Sequence, residues 1–174
     1  ATSAPTRRSL RWLGWAGIVL LLLGISPFAE HAFGLGLAGL TSDLWPESRL
    51  DPPGVRASAA IFAHMVAGAA VTLLAPLQLV PALRARWPAL HRWTGRIVAG
   101  AALATAAAGL VWIASRGTIG GWQMSASFAL YGLLMGLAAV QTVRFARARD
   151  LARHRAWALR LFVLAIGSWI YRVH

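Results

Sequence analysis

Three histidines are the side chains in this sequence best suited to hold a cofactor: His64, His91 and His154. His64 stands inside a long apolar stretch, and in a membrane an ionisable group at that depth usually faces the interior of the protein. Its imidazole would serve as a heme ligand, a hydrogen-bond partner for a quinone or a proton relay. Alternatively, it is a neutral histidine that only hydrogen-bonds a neighbouring helix. The sequence leaves both interpretations open.

His91 and His154 form a related pair, because the segments around them resemble each other. Residues 78–92 and 141–155 are identical at eight of fifteen positions when they are aligned at an offset of 63. Two related imidazoles facing each other would ligate one heme, with arginines binding its propionates. The competing interpretation is an interfacial His-Arg anchor that binds lipid phosphate or caps a helix.

The arginines in and around these two segments are the candidate contacts for anionic lipid headgroups. They are Arg84, Arg86, Arg92, Arg96, Arg147, Arg149 and Arg155. Catalytic motifs are absent: the sequence has no Gly-x-Ser-x-Gly, no His-Glu-x-x-His and no Walker loop. It also has no cysteine, which excludes zinc–thiolate sites and iron–sulfur clusters on this chain. We therefore expect a protein without its own catalysis.

Long apolar segments must position these residues. The chain has 174 residues, of which 58% are hydrophobic and 13% charged, and its mean hydropathy is +0.61. Crossing a bilayer takes roughly 20 apolar residues. Five stretches approach that length: residues 12–29, 57–83, 97–114, 119–143 and 154–174. The sequence therefore predicts an all-α integral membrane protein, a single bundle of about five transmembrane helices.

The charges predict an orientation. All 17 Lys and Arg residues are arginine, and the net charge is +12. With the N-terminus in the cytoplasm, 13 arginines and one acid fall inside, and four arginines and four acids fall outside. This is the positive-inside pattern of a protein of the bacterial inner (cytoplasmic) membrane. Because the pattern accounts for the basic composition, we expect no nucleic-acid partner.

The two ends of the first span carry further signals. Paired arginines before the first apolar run resemble a twin-arginine export signal, but no small-x-small cleavage site follows residues 26–30. We expect this segment to be retained as a transmembrane helix. After it, residues 31–56 contain several glycines and prolines and predict the one sizeable outer loop, irregular or partly helical. Glu30 would then lie outside the membrane.

The internal similarity predicts how the helices are arranged. Each copy covers the end of one span, a short basic loop and the start of the next span. Spans 2 and 3 would form one helical hairpin, and spans 4 and 5 the other. Such a parallel repeat has a two-fold axis along the membrane normal. Chance similarity among alanines and arginines is the alternative explanation.

From Phe62 to Arg172 the sequence resembles a family of bacterial predicted membrane proteins, domain-of-unknown-function family 2306. The resemblance rests on His64-Met65 with Gly68, Ala75-Pro76-Leu77-Gln78, Leu90-His91-Arg92-Trp93-Thr94-Gly95-Arg96, and His154-Arg155-Ala156-Trp157 with Arg160. It covers about two-thirds of the chain and implies a polytopic membrane protein with no established activity. Family members look longer at the C-terminus, so we expect further chain after Arg172.

Two functions agree with these observations. The first is an accessory or scaffold subunit of a larger membrane complex, in contact with other membrane subunits and with anionic headgroups on the cytoplasmic side. The second is a b-type cytochrome that uses heme b to carry electrons between quinone and a partner. An absorbance spectrum separates the two.

Overall fold

The computed structural model describes residues 7–41 and 55–172, and within these ranges it contains helices joined by short connections and no strand. In chain order the helices are α1 (Arg7–Thr41), α2 (Val55–Gln78), α3 (Pro81–Arg86), α4 (Pro88–Arg116), α5 (Gly121–Arg147) and α6 (Leu151–Arg172). Helix α3 has only six residues, and the other five are long. The all-α prediction is therefore confirmed for the described residues.

Helix α1 is longer than the sequence predicts. The predicted span ends at residue 29, but the helix continues to Thr41. Residues 31–41, expected to begin an irregular or partly helical outer loop, are therefore helical and continuous with α1, and residues 42–54 of that loop lie outside the described residues. Lipid offers no water to an unpaired backbone group, so a helix that satisfies its own backbone prevails over the low helix propensity of glycine.

Pro27 lies inside α1 without ending it. Proline has no backbone N–H and cannot bond the carbonyl four residues earlier, which belongs to Leu23. The Ser26 hydroxyl donates to that carbonyl instead, with an oxygen–oxygen distance of 3.2 Å. A neighbouring serine thus supplies the hydrogen bond that proline removes, as transmembrane helices often require.

Gly36 allows α1 to approach α2 closely. A Cβ atom at this position would lie 2.9 Å from the Phe62 carbonyl oxygen and 2.9 Å from Val66 Cγ2. Only a residue without a side chain fits such a crossing, and small residues at helix contacts are typical of membrane bundles. This glycine therefore serves helix packing rather than a loop.

The predicted second span, residues 57–83, is interrupted near its end. Helix α2 ends at Gln78, and Pro81 begins α3. Proline is well suited to a first helical turn, where its missing N–H would have no partner within the helix. Pro76, in contrast, is buried inside α2.

The long helices pack as antiparallel neighbours around a small-residue core. Helix α2 lies against α1 and α4, and α5 lies against α4 and α6. The main core cluster contains Val71, Ala75, Val98, Ala102, Met135, Ala138, Ala139, Leu161 and Ala165. Helix α1 is peripheral and joins through a second cluster that includes Ile25, Ala29, Ala69 and Ile166. Alanine at these contacts permits the close packing that membrane helices depend on.

Four helices are long and apolar enough to cross a membrane. Their candidate spans are Gly14–Thr41, Ala59–Gln78, Pro88–Arg116 and Gly121–Arg147. Helix α6 does not meet this criterion of composition, and its first half carries Arg153, Arg155 and Arg160. The fifth span predicted at residues 154–174 therefore stays a prediction.

The α2–α4 and α5–α6 connections lie at the same end of the bundle. Gln78 contacts Thr94 beside the first connection. His154, at the start of α6, contacts Thr142 of α5 beside the second connection. We call this the arginine-rich end, because both connections and the helix ends beside them carry most of the arginines of the chain.

The internal repeat stays a prediction. Gly68 approaches Thr105, and adding 63 to both positions gives Tyr131 and Ser168, which are also in contact. The two connections differ, however: the first contains α3, whereas the second is the short turn at residues 148–150. The contacts between helices agree with a repeat, whereas the two connections do not resemble each other.

Single cysteines can report the orientation, since the chain has none of its own. Ala89 is exposed at the arginine-rich end, and Ile119 is fully exposed between α4 and α5. We expect a membrane-impermeant maleimide to label Ile119→Cys in intact cells and Ala89→Cys only after permeabilisation, because arginines are retained inside. The opposite labelling pattern would reverse the orientation.

Candidate functional site

The most distinctive polar contact within the spans lies where α2 crosses α4. The Nδ1 atom of His64 is 2.8 Å from the carbonyl oxygen of Thr105. A carbonyl only accepts, so Nδ1 donates, and the neutral ring carries its lone pair on Nε2. His64 therefore faces the bundle interior, which confirms the expectation from the small and polar residues that share its helix face, Gly68 and Thr72.

Glycine makes room for each polar side chain at this crossing. A Cβ atom at Gly109 would lie 2.9 Å from His64 Nδ1 and 3.2 Å from its Cε1. A Cβ atom at Gly68 would lie 3.7 Å from Thr105 Cγ2 and 3.9 Å from its Oγ1. A polar residue of one helix thus faces a glycine of the other helix, in both directions.

The same pattern recurs where the two helices reach the arginine-rich end. A Cβ atom at Gly95 would lie 3.1 Å from Gln78 Oε1. Gln78 Nε2 donates to Thr94 Oγ1 at 2.6 Å, and the Thr94 hydroxyl donates to the Leu90 carbonyl at 2.8 Å. We call these three contacts the α2–α4 seam: His64–Gly109, Gly68–Thr105 and Gln78–Gly95.

The Thr105 hydroxyl stands out within the seam. The residue is only 5% exposed, and its Oγ1 has no hydrogen-bond partner in the described part of the chain. Thr72, which is also buried, donates its hydroxyl to the Gly68 carbonyl at 2.8 Å. Because a buried hydroxyl without a partner is unfavourable, Thr105 is a polar group that the protein's own contacts leave unused.

A cavity of about 380 Å³ lies beside His64 and Thr105. All five long helices contribute to its wall, which is mostly apolar. Five aromatic residues line it: Phe28, Trp112, Phe128, Tyr131 and Tyr171. Its volume lies within the range of known small-molecule sites, which are typically apolar with a few polar groups.

The α5–α6 side of the cavity is held by Tyr131. Its hydroxyl donates to the Leu164 carbonyl, and a Cβ atom at Gly167 would lie 3.0 Å from the same hydroxyl oxygen. Nearer the end of α6, the rings of Phe128 and Tyr171 meet edge to face with their centroids 5.4 Å apart. These contacts fix one wall of the cavity independently of the seam.

The other two candidate histidines both lie at the arginine-rich end. His154 Nδ1 is 2.9 Å from the Thr142 carbonyl oxygen and donates to it. His91 stands in the first turn of α4, and its Nδ1 is buried without a partner among the described residues. The two histidines therefore differ in hydrogen bonding. The described helices contain no group of three or more metal-binding side chains.

All seven arginines expected to contact lipid headgroups are exposed at this end. Stacking on tryptophan orients two arginines nearby: Arg96 lies 5.0 Å from the Trp93 ring centroid, and Arg160 lies 4.8 Å from that of Trp157. Asp150, in the α5–α6 turn, pairs with an arginine one turn later. The other arginines at this end would attract anionic lipid headgroups. Contact between these arginines and the headgroups stays a prediction.

Glu30 lies where the sequence analysis did not place it. It is inside α1, and its neighbours Ala29 and Ala32 belong to the same core cluster as Ala69 of α2. Its side chain is exposed, with no hydrogen bond or ion pair within the described helices. The predicted end of the first helix before Glu30 is wrong, because α1 continues through this residue to Thr41.

Sequence reasoning identified the parts of the seam but not their pairing. It placed His64 and Gly68 on one face of α2, and Thr105 and Gly109 on one face of α4. Nothing in a single sequence says that these two faces meet. Glu30 follows an apolar run directly and precedes several glycines. This pattern is typical of a helix end, so the sequence did not indicate that the helix continues.

A methyl group at Gly109 should destabilise the bundle. Gly109→Ala would place a carbon 2.9 Å from His64 Nδ1 and displace the ring from the Thr105 carbonyl. We expect a loss of about 1–3 kcal/mol in the free energy of unfolding, as for other overpacked sites. Unfolding in detergent measures it. Gly100→Ala is the control, since nothing lies within 4 Å of its new Cβ; equal effects of the two changes would contradict the close contact.

Comparison with known proteins gives a family for most of the chain. The model of a family described as "Predicted membrane protein (DUF2306)" matches residues 61–174. Neither the curated proteins nor the solved structures gave a match. The matched range includes His64, the seam and the His91–His154 pair, and it leaves α1 outside. The chain belongs to the DUF2306 family of predicted membrane proteins.

Proposed function

We propose that this protein is an accessory or scaffold subunit of a larger membrane complex, without catalysis of its own. The observation that carries the proposal is Glu30, an ionisable side chain on the outward face of a membrane-spanning helix. Such residues usually face a protein interior. A second protein packed on α1 would supply that interior.

The depth of Glu30 supports this interpretation. Packing of Ala29 and Ala32 in the cluster of Ala69 sets α1 against α2. Ala69 stands ten residues from one end of the span Ala59–Gln78 and nine from the other. At about 1.5 Å per residue, roughly 15 Å of helix separates it from either end. Glu30 therefore lies level with the middle of the α2 span.

A charge at that depth needs a partner. Insertion scales put an acidic or basic residue at the centre of a transmembrane helix at a cost of about 2.5–3.5 kcal/mol. A lysine, an arginine or another donor at matching depth would offset this cost. Since no described arginine pairs with Glu30, we propose that a transmembrane helix of another subunit carries that group.

The residues around Glu30 suit helix packing. Gly34 is one turn further along α1 on the same face, and nothing lies within 4 Å of its Cβ position. Phe33 and Leu37 beside it are 44% and 45% exposed. A small residue next to a polar one, with apolar residues around them, is typical of contacts between transmembrane helices.

We further propose that the protein lies in a bacterial inner membrane with its N-terminus in the cytoplasm. The support is the distribution of arginines, since those whose exposure the structure describes as high gather at one end of the bundle. That end would meet anionic headgroups, whose surface potential attracts basic segments.

Replacement of Glu30 tests the subunit proposal. Glu30→Ala should remove the larger complex on native gels of membranes solubilised in mild detergent, because the partner loses its counter-charge. Glu30→Asp should retain part of it. Leu133→Ala, at an exposed position of α5, is the control and should change nothing. Mass spectrometry of the complex should find a membrane protein with a basic residue inside a span. A complex of unchanged size in Glu30→Ala would count against the proposal.

The b-type cytochrome is the second candidate, and one observation favours it: His91 and His154 stand in the first turns of α4 and α6, at the same end of the bundle. His154 also donates its Nδ1 proton to a carbonyl, which presents Nε2 as imidazoles do when they ligate a metal. The spectrum of protein purified from heme-replete cells decides. A reducible Soret band that disappears in His91→Ala and in His154→Ala would establish the cytochrome, and a colourless protein would exclude it.

A further inference from the structure

We infer that the cavity beside Thr105 binds a quinone-type ligand, meaning a small uncharged ring that carries a carbonyl group. The helices of this chain form the cavity wall, so the inference does not depend on a partner for α1. It rests on the shape of the cavity, on its aromatic lining and on one hydroxyl group.

The shape and lining favour a compact ring. The cavity measures about 380 Å³ and is bounded by α1, α2, α4, α5 and α6 rather than forming a groove along one helix. Five aromatic side chains line it, from four of these helices. Aromatic rings contact another flat ring favourably, either stacked or edge to face.

Thr105 supplies the polar contact. Other polar side chains of the lining are engaged within the protein: Thr72 donates to Gly68, Tyr131 to Leu164, and Ser168 to the Ala165 carbonyl at 3.2 Å. The Thr105 hydroxyl has no such partner among the described residues. An incoming acceptor would therefore meet a donor that breaks no existing hydrogen bond.

The polarity of the site limits the chemistry of the ligand. The lining residues include no aspartate, glutamate, lysine or arginine, so a charged ligand would lose its hydration without compensation. A carbonyl accepts from Thr105 and brings no donor that needs a partner of its own. A quinone ring combines this group with a flat, mostly apolar surface.

Thr105→Val tests the inference, because valine keeps the shape and removes only the hydroxyl. The probes are a benzoquinone and a naphthoquinone with short isoprenoid tails, added to the purified full chain in nanodiscs. Binding is measured by quenching of tryptophan fluorescence, since Trp112 lines the cavity. We expect saturable quenching by at least one probe and an affinity about threefold to tenfold lower in Thr105→Val, the effect of one hydrogen bond.

Three further measurements make the result specific. Thr105→Ser retains the hydroxyl and should bind like the wild type. Thr72→Val removes a hydroxyl that already has a partner and should alter the affinity less than about twofold. The unfolding temperature of Thr105→Val should stay level or rise, since an unpartnered buried hydroxyl is removed. Quenching that never saturates, equal affinities of wild type and Thr105→Val, or a heme that occupies the cavity would each overturn the inference.

Discussion

Three glycines along the α2–α4 seam let two helix backbones come close enough for polar side chains to cross between them. His64 reaches the Thr105 carbonyl because Gly109 has no side chain, and Gln78 fits against Gly95 for the same reason. Lipid tails are as apolar as leucine, so helices in a membrane gain little from hiding apolar surface from one another. Close packing and interhelical hydrogen bonds have to hold them instead, and the seam provides both.

The cavity follows from a difference between two pairs of helices. Helices α2 and α4 meet through glycines and lie close, whereas α5 and α6 meet through Tyr131 and the ring pair Phe128–Tyr171. Bulky rings at one interface and small residues at the other leave space between them beside Thr105. Thr105 belongs to both features. Its carbonyl accepts the hydrogen bond of His64 in the seam, and its hydroxyl has no partner in the described part of the chain.

Hydropathy predicted the long helices well, because a helix in lipid requires a long apolar segment, and such segments can be read directly from the sequence. The same reasoning did not predict that the first helix continues through residues 31–41, because it took the glycines there as a sign of a loop. In a membrane the backbone must bond to itself, and Gly36 serves a contact with α2 that no local pattern reveals. The same holds for the site. The type of residue and its place in an apolar segment indicated His64, but its hydrogen bond to Thr105 depends on how two helices pack and cannot be inferred from one sequence.

Helix α1 has a particular place in the order of synthesis. It is synthesised before its main neighbour α2, which follows after the intervening segment. A newly inserted α1 therefore meets the bilayer with Glu30 uncovered, and α2 does not cover it afterwards, because the residue faces away from the bundle. Cellular quality control removes membrane proteins that remain unassembled. If a second subunit shields Glu30, the lifetime of this chain in the cell will depend on how fast that subunit is made.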